Sequence, residues 1–190
     1  VGSEMCIRDR VRTIQLAGYD VYYEEKSPQT RQRFIKNLRK ACDWAEEAQV
    51  VLAIEIMDDP FINSIEKYLA VEKDVDSPYL FVYPDIGNVS AWHNDVYSEF
   101  YLGHHAITAL HLKDTYAVTE SSKGQFRDVP FGQGCVKWEE AFDILKQTNY
   151  NGPFLIEMWS ENCETVEETR AAIQEAQAFL YPLIKKAGLM

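Results

Sequence analysis

The chain has no apolar run close to the roughly 20 residues that a membrane-spanning helix needs, and no secretory leader is visible. A membrane or secreted protein is not expected. Its four cysteines, Cys6, Cys42, Cys135 and Cys163, share no paired or metal-ligand spacing. That sets aside a disulfide scaffold and fits reduced thiols in the cytoplasm. Cations are scarce: 19 Lys and Arg stand against 30 Asp and Glu, for a net charge of −11. With no basic stripe to neutralise phosphates, a nucleic-acid partner is not expected. A small anionic substrate stays compatible if a few cations sit at its site. No domain linker and no internal repeat break the 190 residues, so one domain with a sizeable core is expected.

What is present is an alternation of β-runs and helical segments. Residues 1–10, VGSEMCIRDR, have no periodicity and do not lead into the run that follows. They resemble a translated adapter peptide, and are expected to be a non-native tail outside the fold. From 11 the pattern is β-α repeated five times. A strand over 11–20 ends at Gly18. Ser27 and Pro28 give a hydroxyl cap and a first-turn proline for a helix through Phe34, Leu38, Ala41, Cys42 and Ala45. A strand over 50–56 follows, then a helix capped by Asn63 or Ser64 and running to about Val75. Next are a strand at 79–84, a short helix near 92–103 and a strand at 106–111. The polar segment 115–134 is too long for a plain connection and is expected to be functional or mobile. A helix over 137–148, a strand at 153–157 and a helix from about Thr165 to Ala187, kinked at Pro182, complete the chain. Strands apolar on both sides suit a parallel sheet buried on two faces.

Four polar residues stand where these β-runs end: Glu55 in VLAIEIMD, Asp85 in YLFVYPD, His111 in ITALHLKD and Glu157 in FLIEMW. They are 30, 26 and 46 residues apart, and the first two spacings match one strand plus one helix. Along each strand, each shares a side with alternate residues: Ala53 and Val51 with Glu55, Tyr83 and Phe81 with Asp85, Ala109 and Ile107 with His111, Leu155 with Glu157. Any one alone reads as a solvated strand-end group. All four at one mouth of a barrel make a nearly complete set of ligands for a divalent metal. An isolated carboxylate on that face would be costly to bury, and a cation removes the difficulty.

The segments AGYDVYY, EIMDDPFINS, YPDIGNVSAW, HLKDT, VPFGQG and GPFLIEMWSE resemble the L-ribulose-5-phosphate 3-epimerases of the ascorbate-utilisation type, within the xylose-isomerase-like barrel superfamily. The resemblance covers nearly all of 11–190. It implies an α/β fold, a (β/α)8 TIM barrel, here incomplete with about five β/α units: 11–190 looks like the carboxyl-terminal two-thirds of the family. It also implies a divalent cation, zinc or manganese first, with cobalt and magnesium compatible, on Glu55, Asp85, His111 and Glu157. The implied substrate is a small phosphorylated ketose and the implied assembly a homodimer.

The implied reaction interconverts L-ribulose 5-phosphate and L-xylulose 5-phosphate. A proton is removed at carbon 3, an enediolate forms, and a proton returns on the opposite face. Two acid–base groups are required, and Glu55 and Glu157 are the candidates. Lys113, Asn88, Trp159 and Ser160 are candidate substrate contacts, and Asp114 is expected to orient Lys113 or His111. Asn88 and Phe61 stand where free-sugar epimerases carry a histidine and a glutamate, which favours the phosphate branch. Gly132 and Gly134 are candidates for backbone contact with a phosphate, Lys123 and Arg127 for its cations, and Trp92 for a pocket wall. His93, His104 and His105 are expected to be structural or on the surface. Two rivals remain: a ketose- or hexulose-phosphate isomerase using the same metal site, and an inactive fragment of a barrel.

Overall fold

The computed structural model describes residues 11–190, and the tail assigned to 1–10, with Cys6, lies outside them. Three strands form the first part of a parallel sheet: β1 (Thr13–Ala17), β2 (Val51–Glu55) and β3 (Leu80–Tyr83). Parallel bridges Val82–Ile107 and Asp85–His111 carry the sheet on to β4 (Leu110–Leu112). There the N–H groups of Thr108 and His111 donate to the carbonyls of Val82 and Pro84. Next come β5 (Asp114–Tyr116) and β6 (Gln125–Val129), which pair antiparallel. β7 (Phe154–Ile156) returns to pair parallel with β4, His111 opposite Leu155. The five parallel strands thus follow one another as β1-β2-β3-β4-β7. Among the described residues, β1 and β7 pair on one side only.

The helices form because their caps and apolar spacing agree. In α1 (Pro28–Ala48), Ser27 accepts from the Thr30 N–H and the Thr30 hydroxyl accepts from the Ser27 N–H. Such a cap is worth about 1 kcal/mol. Buried Ile35, Leu38, Cys42 and Ala45 follow at helical spacing. Ser64, rather than Asn63, caps α2 (Ile65–Val75). The short helix expected near 92–103 is α4 (Val96–Gly103), which leads into a 3-10 turn at His104–Ala106, and an unexpected helix, α3 (Ile86–Ala91), precedes it. The reason is Asp85, whose carboxylate accepts from the Asn88 N–H and starts α3 directly after β3. α5 (Trp138–Gln147) and α6 (Val166–Ala187) follow, and α6 continues through Pro182 to a left-handed Gly188. No helix of the described residues is long and apolar enough to cross a membrane.

The core lies between the sheet's outer face and the helices. It includes Leu52, Ile54, Ile65, Tyr68, Val82, Leu110, Phe142 and Ile144. A smaller cluster of Ala53, Tyr83 and Ala109, with Phe81 against it, covers the inner face. This is why the strands read as apolar on both sides. Toward the outer strands the inner face is more open: Leu155 is 45% exposed, and Gln15 and Ala17 of β1 are exposed.

The long polar segment is the β5–β6 hairpin and the turn after it. Asp114 folds that turn. Its carboxylate accepts from the N–H groups of Thr115, Gly132, Gly134 and Val136 and from Trp138 Nε1. A Cβ on Gly134 would fall 2.0 Å from Asp114 Oδ1, so only glycine allows the chain this close. Asp114 therefore does not orient Lys113 or His111, because its oxygens are turned to this loop. The N–H groups of Gly132 and Gly134, candidates for contact with a phosphate, are engaged on Asp114 instead.

Candidate metal centre

Parallel pairing aligns four strand ends, and each brings one donor. Glu55 is the last residue of β2 and Asp85 lies two residues past β3. His111 is the middle of β4, and Glu157 follows β7. One ligand atom from each lies within 4.8 Å of all the others. Asp85 is fully buried, Glu55 and His111 nearly so, and Glu157 is half-buried.

His111 Nδ1 sits 2.9 Å from Glu55 Oε1, 2.9 Å from Glu157 Oε2 and 3.9 Å from Asp85 Oδ2. A ring nitrogen carries at most one hydrogen, so it cannot serve both near carboxylates well. Asp85 Oδ2 and Glu157 Oε2 are both buried, with Lys113 Nζ and His111 Nδ1 respectively as their near neighbours. Lys113 Nζ lies 2.9 Å from Asp85 Oδ2 as an ion pair, and donates to Glu157 Oε1 at 3.2 Å. The donor set fits a divalent cation on two grounds. A central cation would give the two buried oxygens, Asp85 Oδ2 and Glu157 Oε2, a shared partner and relieve the over-claimed nitrogen. In the protonation state that a ligand set requires, with His111 neutral and the carboxylates ionised, three carboxylates and one lysine also carry a formal charge of −2, which such an ion cancels. Carboxylates with one imidazole suit zinc or manganese, and magnesium less specifically.

The protein's own charges respond to this crowding. Burial alone would lower the His111 pKa, but hydrogen bonds and charge from Glu157 and Glu55 raise it to about 9. Complete burial drives Asp85 well above the usual carboxylate range, against the pull of Lys113. Burial works against Glu157 too, yet hydrogen bonds from His111 and Asp85 and the Lys113 charge hold it down to about 2. Lys113 would be lowered by burial, but Asp85 and Glu157 raise it and keep it an ammonium. Tyr83 packs against the imidazole at an interplanar angle of 58°, with ring centroids 4.6 Å apart. Burial, then the charges of Glu55 and Glu157, push its phenol up to about 12.

The structure brings Lys113 and Trp159 to this cluster. Lys113 Nζ lies 5.2 Å from the Trp159 ring centre, and the Arg127 guanidinium covers the same ring at 4.8 Å. A cavity of about 440 Å³ opens beside them, walled by Val129, Phe131, Trp159 and Phe179. Asn88 is buried, and its amide donates to the Ile56 carbonyl while Oδ1 has no partner. Ser160 is exposed and does not line the cavity; its carbonyl accepts from the Cys163 N–H. Lys123 is exposed, and Trp92 packs against Phe126, away from that cavity. His93, His104 and His105 are exposed and outside the cluster.

The residue that sequence reasoning missed is Gln15, whose Nε2 donates to Glu55 Oε2 at 2.6 Å. The available signal was alternation in TIQLA, which sets Gln15 on the side opposite Ile14 and Leu16.

Parallel β/α units in sequence, with three carboxylates and one imidazole gathered where the strands end, define the architecture of an incomplete α/β barrel. The chain belongs to the xylose isomerase-like TIM barrel family, whose model matches residues 4–183. It is 52% identical over 180 residues to SgbU of Haemophilus influenzae, provisionally named an L-ribulose-5-phosphate 3-epimerase. That match covers 95% of this chain and 62% of the relative. It is 47% identical to UlaE of Escherichia coli, an L-ribulose-5-phosphate 3-epimerase, covering 95% of this chain and 60% of UlaE. The chain thus spans about three-fifths of the length of these curated relatives. Among solved structures, an L-ribulose 3-epimerase superposes with a TM-score of 0.77 at 18% identity, over 97% of this chain and 65% of that one. A xylose isomerase-like barrel protein from Mycobacterium smegmatis, solved with magnesium, superposes at 0.64 and 18% identity, over 94% of this chain and 65% of that one. At such identities these two superpositions establish the fold alone.

Proposed function

We propose that this chain carries the metal-binding half of a 3-epimerase that interconverts L-ribulose 5-phosphate and L-xylulose 5-phosphate. The observation that carries the reading is the convergence of Glu55, Asp85, His111 and Glu157 within 4.8 Å. Identity near 50% to relatives named for that reaction supports the choice of substrate. The four residues would hold one divalent cation, zinc or manganese, which when bound supplies positive charge to stabilise the enediolate oxygen.

The rest is done by side chains. Glu55 and Glu157 reach the centre from β2 and from the end of β7, on either side of His111. A substrate carbon between them would meet a carboxylate on each face. One takes the carbon-3 proton and the other returns a proton to the opposite face, which inverts the centre. Turnover leaves the pair with exchanged protonation states, and water resets them. Lys113 holds Asp85 and Glu157 in place and closes one wall, and Trp159 closes the next. Their apolar surroundings keep water from the enediolate.

The test is solvent-deuterium incorporation at carbon 3 of L-ribulose 5-phosphate, with product analysis. Assayed at metal concentrations that keep the site filled, Glu55→Gln and Glu157→Gln are each expected to cut incorporation by about 10²–10⁴-fold. Normal exchange in both variants would refute the assignment, and a 1,2-isomer as product would make the protein a ketose-phosphate isomerase.

A further inference from the structure

We infer that Gln15 is a positioning residue that fixes which oxygen Glu55 offers to the cation. The inference rests on the reading of Glu55 as a ligand. The two oxygens of Glu55 have different tasks: Oε1 faces His111 Nδ1 at 2.9 Å, and Oε2 accepts from Gln15 Nε2 at 2.6 Å. The amide must present its nitrogen here, since its oxygen would face a carboxylate oxygen.

Gln15 is well placed to hold this geometry. It sits inside β1, which pairs in register with β2, Gln15 beside Ala53 and Ala17 beside Glu55. The backbones of both partners are therefore set by the same ladder. A carboxylate's terminal torsion is broad and two-fold. Without a partner on Oε2, Glu55 is free to turn, or to offer both oxygens to the ion. A charge-assisted bond from a strand-borne amide removes that freedom. It leaves Glu55 to bind through Oε1, with Oε2 held on the side away from His111. No other residue among those described donates to Oε2, so its loss is not covered by a neighbour.

Partners that orient a metal ligand typically change metal affinity by about 10–100-fold when removed. The same loss is expected for Gln15→Leu and for Gln15→Met, which keep most of the bulk and discard the donor. Gln15 is exposed, so neither change cuts into the core. Thr13, two residues back on the same strand, is the control: Thr13→Val should bind as the unaltered protein does.

The measurement is titration of the metal-free protein carrying this chain with Co²⁺, followed by visible absorption and by equilibrium dialysis. Weakening of tenfold or more in both Gln15 variants, with a shifted Co²⁺ band, is the expected result, since a purely structural role would leave the band unmoved. Affinity and band equal to the unaltered protein in both variants would overturn the role of Gln15 while leaving the metal site standing. Failure of the unaltered protein to bind Co²⁺ would overturn the metal reading itself.

Discussion

Replacing Asp114 by asparagine changes one atom and should cost much of the fold's stability. Asp114 is 1% exposed, and its two oxygens serve five donors. Oδ2 accepts from the N–H groups of Gly132 and Gly134 and from Trp138 Nε1, and Oδ1 from the N–H groups of Thr115 and Val136. An asparagine amide keeps one oxygen. Whichever way it turns, its NH2 group faces at least two donors and leaves them unpaired. A hydrogen bond to a charged group contributes about 1.5–3 kcal/mol, and a buried donor left without a partner costs about 1–3 kcal/mol. These terms overlap, so the expected loss is about 3–5 kcal/mol, within the range for breaking a buried network. A domain of this kind has about 5–15 kcal/mol in total. Urea unfolding followed by tryptophan fluorescence measures the difference, and Trp138 itself reports on the turn. Gly134→Ala should act in the same direction, because its Cβ would meet Asp114 Oδ1. A loss below about 1 kcal/mol for Asp114→Asn, the size of one ordinary hydrogen bond, would refute the claim that this carboxylate organises the segment after the hairpin.

Two further outcomes follow from the geometry. Lys113→Met removes the partner of buried Asp85 and Glu157 and should destabilise the metal-free protein by about 3–5 kcal/mol. Added divalent metal should then raise its Tm by more than it raises that of the unaltered protein, as differential scanning fluorimetry can read. Asp20 is held by Lys26 at 2.6 Å and by the Thr30 hydroxyl at 2.5 Å. Burial alone would raise its pKa, but those hydrogen bonds and the Lys26 charge hold it below 3.8. A depressed carboxylate stabilises the fold above its unfolded pKa and loses that contribution as pH falls through its folded value. The gap in unfolding free energy between the unaltered protein and Asp20→Asn, about 1.5–3 kcal/mol, should be constant near neutrality and narrow below pH ~4.

The strands and the donors were legible in the sequence because both depend on local pattern. Period-two alternation put Glu55 with Ala53, and Asp85 with Tyr83, before any pairing was known. Ser27 and Pro28 marked a helix start for the same local reason. What stayed hidden was long-range or polar. The β5–β6 hairpin carries little apolar signal, since Gln125, Arg127 and Asp128 are all exposed. Asp114 meets N–H groups 18 to 22 residues away, and no window of sequence shows that a carboxylate will bind them rather than the neighbouring lysine. Asp85 was legible as a strand-end donor but not as the cap of α3, because the same carboxylate does both. Gln15 and Glu55 are 40 residues apart and meet only because β1 and β2 pair in that register.

The most direct test of the central claim is the metal content of the purified protein, counted by mass spectrometry beside a His111→Leu, Asp85→Asn double variant. One divalent ion per chain, lost in the double variant while its fold persists, is the predicted result. No bound ion in the unaltered protein, or an equal content in both, would contradict the account.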